Sequence, residues 1–178
     1  MERPSPSLDL WRDVAGAAAC ALLGLIAFAG GGRVPLLGWI DLAIHEFGHV
    51  VTYPLPDLAT AMMGSITQVA VPLAICAHFL HRREIVSAML CLAWAGTSAR
   101  DASLYIADAP YERLELIGGL HDWAYALGPE GFDALGRAGA LAAGVRMAGL
   151  VMVLVAVAGC LARPLMTARL DTARGAAE

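Results

Sequence analysis

A succession of long apolar stretches constrains this chain more than any other feature. They lie at residues 14–30, 36–53, 61–80, 85–107 and 138–161, and short polar or Gly/Pro-rich breaks divide them. A helix needs about 20 mostly apolar residues to cross a bilayer, so the pattern predicts an all-α, multi-pass transmembrane helix bundle of about five spans. The whole of residues 1–178 reads as a single integral membrane domain. With 58% hydrophobic residues, 16% charged and a mean hydropathy of +0.64, the chain is too apolar for an ordinary water-soluble domain of its length. Gly30-Gly31-Gly32 ends the first stretch, Pro54 and Pro56 close the second, and His81-Arg82-Arg83-Glu84 makes a tight turn between the third and fourth. Residues 110–136 form the long polar connection, where a short extra helix is expected to begin near Asp122 as its N-cap.

Charge excludes one class of partner. Every basic side chain is Arg, the formal net charge is -4, and no basic run suits nucleic acid, which leaves membrane lipid as the expected surrounding. Five spans would put the termini on opposite faces. Arg33, Arg82, Arg83 and the tail residues Arg163, Arg169 and Arg174 would then share the cytoplasmic one. Cys20, Cys76, Cys91 and Cys160 fall in four different apolar stretches with no ligand spacing between them, so they read as small core residues.

Chemistry concentrates in the second stretch, at His45-Glu46-Phe47-Gly48-His49. On a helix the histidines at i and i+4 stack on one face, so both imidazoles reach one metal ion, and Glu46 stands beside them as a general base. Zinc held this way generates a nucleophilic water near neutral pH. Ionisable groups inside a membrane helix cost about 2.5 to 3.5 kcal/mol each, which favours a functional reason for their presence. Catalytic zinc usually takes three protein ligands. For the third, the sequence offers His121 first, Asp108 second and Asp122 third. Asp101, Tyr105 and Asp108, at i, i+4 and i+7, make a polar stripe on the fourth stretch, where Asp101 beside Arg100 suggests an ion pair. In the third stretch Gly64 and Ser65 are small enough to admit a neighbouring helix, and Gln68 carries an amide able to hold an extended substrate strand.

The His45-to-His49 motif within an apolar span resembles the site-2 type intramembrane metalloproteases. That resemblance implies zinc bound by the two histidines and a distant aspartate, water activated by Glu46, and a membrane-protein or peptide substrate cut within the bilayer. Together with Gly64 to Gln68, Tyr105 to Ala109 and His121 to Trp123, the motif also looks like that of a group of small bacterial HExxH membrane proteins. This second resemblance implies a bacterial inner-membrane location and supports Asp108, His121 and Asp122 as site residues. The leading expectation is therefore a zinc-dependent membrane-embedded metallopeptidase. Hydrolysis of a lipid or small amide or ester, and metal binding without turnover, are the alternatives.

Overall fold

The computed structural model of the protein describes residues 6–116 and 120–175, with side chains over 10–116 and 120–162. Among the described residues every regular element is helical: α1 (Pro6–Ala29), α2 (Leu37–Thr52), α3 (Asp57–His81), α4 (Ile85–Asp108), α5 (Asp122–Leu127), a 3-10 turn (Leu135–Arg137) and α6 (Ala138–Gly175). Three segments are long and apolar enough to cross a membrane, Leu10–Ala29, Asp57–His81 and Leu135–Ala162. The all-helical, membrane-compatible character expected from hydropathy is thus present. The short helix in the polar connection is present too, at Asp122.

Small residues let the long helices approach closely. A Cβ on Gly96 of α4 would stand 2.6 Å from the carbonyl oxygen of Gly149 on α6, so only glycine permits that crossing. Cys20, Ala88, Met89, Ala93, Ala156 and Cys160 pack into an apolar core between α1, α4 and α6. Cys20, Cys76 and Cys160 are buried and all four cysteines are free thiols, in keeping with a packing role.

The direction of each helix follows from its neighbours. Gly16 of α1 lies against both Val86 at the start of α4 and Cys160 late in α6, while Gly24 meets Val153. So α1 runs parallel to α4 and antiparallel to α6. The start of α1 and the later part of α6 lie at one end of the bundle, the end that also carries the turn at residues 82–84. The placement of the start of α1 and the later part of α6 thus differs from the expected five-span alternation, which would put them on opposite faces. The backbone of α6 carries Arg163, Arg169 and Arg174 onward at that end, and their side chains lie outside the described residues. Arg33 does not join them, since it pairs with Asp101 in the other half of α4.

The physical reason is α2. Its Asp41 meets Trp94 and Ser98 in the middle of α4, and its His45 lies beside Tyr105, so α2 also runs parallel to α4 and to α1. Two successive parallel helices require the link between them to double back. Gly31 and Gly32 do this with φ of 107° and 105°, a region open to glycine, and a side chain on Gly32 would collide with Leu104. With 16 residues, about 24 Å, α2 starts part-way along the bundle rather than at its edge.

Candidate metal centre

The site is built where the far ends of α2, α3 and α4 meet α5. Along α2, Asp41, His45, Gly48 and Thr52 form the buried stripe that faces α3 and α4. Gly48 is required there, because a Cβ would press 2.6 Å from the carbonyl oxygen of Met63. His45 and His49 project from this face with ring centroids 4.9 Å apart. The backbone of Gly64 on α3 approaches so closely that a Cβ there would overlap the Nε2 atoms of both rings.

Asp122 completes the group. Its Oδ2 lies 3.1 Å from His45 Nε2 and 3.2 Å from His49 Nε2. The three donor atoms all fall within 4.8 Å of one another, the geometry of a possible metal-ion site.

The rest of the structure orients these atoms. Gln68 Nε2 donates to Asp101 Oδ2 at 3.0 Å, which turns its Oε1 toward His45 Nδ1, 3.3 Å away. An amide oxygen only accepts, so Nδ1 carries a proton, and in the neutral ring Nε2 keeps its lone pair. On the other ring, His49 Nδ1 donates to the backbone carbonyl of Thr60 at 2.9 Å, with the same result. Both free lone pairs therefore point at a carboxylate oxygen that is itself an acceptor. With both rings neutral, three electron-pair donors converge on one point, an arrangement suited to a cation; when no ion is bound, a proton on His45 Nε2 makes the 3.1 Å hydrogen bond to Asp122. Ligands at about 2.0–2.1 Å from a tetrahedral zinc stand about 3.3 Å apart, close to the two separations between Asp122 and the histidines, so the donor set is compatible with the ion.

Of the three candidates for the third position, the structure brings Asp122 to the histidines and turns His121 and Asp108 elsewhere. His121, not Asp122, is the N-cap of α5, its Nδ1 accepting from the Ala124 N–H at 3.2 Å. Its Nε2 is buried and faces Asp108 Oδ2 at 3.5 Å. Asp108 closes the turn after α4 by accepting from the backbone of Arg113 and Leu114. The cap falls one residue earlier than expected, and that leaves Asp122 free to face α2. The Trp123 indole donates to Ser65 Oγ at 2.9 Å and packs in an apolar cluster with Ile106, Ala126 and Leu127, fixing the rotation of α5. The Tyr105 hydroxyl accepts from the Asp122 N–H at 3.0 Å and donates to Oδ2 at 3.2 Å, holding the carboxylate from behind.

Gln68 is 3% exposed, and each end of its amide is engaged within the protein. Its amide spans His45 and Asp101, and Gln68 also lines the cavity onto which the site opens. Asp101 pairs with Arg33 at 3.4 Å rather than with its neighbour Arg100. Asp41 was not singled out by sequence, although it sits one turn before His45 on the same stripe; buried at 3% exposure, it accepts from Trp94 Nε1 and Ser98 Oγ, both at 2.8 Å, and ties α2 to α4.

A cavity of about 740 Å³ opens onto the group. Glu46, His45, His49, Asp122 and Tyr105 line its polar side, and Trp39, Leu42, Leu104, Leu114, Leu116 and Leu120 its apolar side. Glu46 is solvent-accessible and points into the space beside the histidines rather than into the helix packing. Compared with known proteins, the chain matches no family model, no curated protein and no solved structure.

Proposed function

We propose that this chain is a zinc-dependent membrane-embedded hydrolase that cleaves peptide bonds, seated in a bacterial inner membrane. In this reading α1, α3, α4 and α6 cross the bilayer and the shorter α2 enters from within it. The convergence of His45 Nε2, His49 Nε2 and Asp122 Oδ2 beside a cavity that holds Glu46 supports it most.

His45, His49 and Asp122 would hold the ion through these atoms. A zinc ion bound there supplies Lewis acidity, lowering the pKa of water to about 7 and polarising a carbonyl. Glu46, next to His45 on α2, takes the proton from the attacking water on its carboxylate and passes it to the departing amine. A site that only stored metal has no use for that carboxylate. Asp101, Gln68 and Thr60 hold the imidazoles in the binding tautomer, and Tyr105 keeps the Asp122 carboxylate aimed. The apolar wall of the cavity suits a hydrophobic peptide segment and keeps bulk water from the reacting carbonyl. The same wall favours a second reading, hydrolysis of a lipid amide or ester.

The test uses full-length protein in detergent, loaded with zinc and offered a fluorogenic single-span peptide in one arm and a fluorogenic acyl amide in the other. Peptide turnover is expected, and Glu46→Gln should keep one zinc per chain while losing about 10²- to 10⁴-fold in rate. Wild-type turnover in that variant would remove Glu46 as the base. Cleavage of the acyl amide alone would move the assignment to the second reading.

A further inference from the structure

We infer that Arg100 and Arg146 form a phosphate-binding site on the lipid-facing groove between α4 and α6, occupied by the headgroup phosphate of a phospholipid. The site is separate from the metal centre and does not depend on it.

Its geometry comes from the glycine crossing. Gly96 and Gly149 touch backbone to backbone, and a Cβ on Gly149 would also reach the Arg100 nitrogen at 3.4 Å. Because α4 and α6 are antiparallel, Arg100, one turn beyond Gly96, and Arg146, one turn before Gly149, rise to the same level on facing surfaces. Arg100 stands eight residues before the end of α4 at Asp108, and Arg146 eight after the start of α6 at Ala138, about 12 Å along each axis. The Arg100 guanidinium lies against the Gly32 loop, where a Cβ would come 3.6 Å from its Cζ.

Two cations at one depth of an apolar bundle need a counter-charge. Among the described residues Arg100 Nη1 reaches only Ser103 Oγ, in its own helix, at 3.3 Å, and its buried Nε meets no hydrogen-bond partner. Among the described residues no carboxylate stands within ion-pair distance of either arginine. The adjacent Asp101 is turned to the other face, toward Arg33 and Gln68. Arg146 is exposed and flanked by the exposed Met147, so the open side of the pair faces the surroundings of the bundle rather than its core. A buried charge-bearing donor left unpaired is costly, and a phosphate offers several acceptor oxygens to paired guanidinium groups. A phospholipid brings that phosphate to the edge of the hydrocarbon with its acyl chains along α6, and arginine side chains reach upward to meet it.

Native mass spectrometry of the full chain, titrated with phosphatidylglycerol, reads the site directly. Arg146→Gln, at an exposed position, and Arg100→Gln are expected each to weaken lipid retention by about tenfold, with Arg82→Gln in the distant turn as the unchanged control. Should Arg100→Gln not fold, Arg146→Gln alone decides. Equal retention by the wild type and Arg146→Gln would overturn the site, as would equal retention of a diacylglycerol lacking phosphate. Full displacement of the lipid by millimolar inorganic phosphate would reject the lipid as the source and leave a free-anion site.

Discussion

Gln68 donates to Asp101 at 3.0 Å and thereby presents its amide oxygen to His45 Nδ1. A carboxylate has no proton to give, so this one bond fixes which way the amide faces and, through it, that Nδ1 of His45 carries a proton.

Breaking that relay should weaken metal binding while sparing the fold. Gln68→Leu is expected to lower zinc affinity about 10- to 100-fold by competition with a chromogenic chelator. Asp101→Asn retains an acceptor for the Gln68 amide and should lose far less. Equal losses in the two variants would mean that the Asp101 charge acts by itself.

Asp122 and His121, neighbours in sequence, should behave in opposite ways. Asp122→Ala is expected to abolish stoichiometric zinc in elemental analysis. His121→Ala removes the α5 cap and should cost about 1 kcal/mol of stability while leaving zinc bound. The reverse pattern would restore His121 as the third ligand.

Gly64→Ala tests the space reserved for the ion. The added methyl falls on the Nε2 atoms of both histidines, so the variant should fold, elute as the wild type and carry no zinc. Normal zinc content there would show that α3 yields more readily than its packing implies.

Metal removal should be visible as lost stability. A ligand at 100 times its dissociation constant stabilises by about 2.7 kcal/mol, so chelation should lower the melting temperature of the wild type and leave the His45→Ala,His49→Ala double variant unmoved. An equal shift in both would trace the effect to some other site.

Asp41→Leu should destabilise the packing of α2 on α4 by about 1–3 kcal/mol, because the Trp94 N–H and the Ser98 hydroxyl lose their buried acceptor. Asp41→Asn, which still offers an oxygen, should recover most of that loss in thermal unfolding.

Much of this architecture is written in local pattern. The apolar stretches carry the helices, and three of the helical segments are long and apolar enough to cross a membrane. The His45-to-His49 spacing stacks two imidazoles by helix geometry alone. Glu46 follows from the same spacing.

Three features depend on tertiary packing. That α2 starts part-way along the bundle and runs parallel to α1 depends on the Gly31-Gly32 reversal, and hydropathy encodes apolar length, not depth or direction. The choice between His121 and Asp122 depends on where α5 begins and how it is rotated, since the His121 ring caps the helix while Asp122, its first residue, faces α2. Trp123 on Ser65 and the surrounding apolar cluster set that rotation. The fate of Gln68 was equally hidden, for an amide can bond to a substrate strand or to a histidine with the same atoms, and only the approach of α2 and α4 to α3 brings His45 to one end and Asp101 to the other.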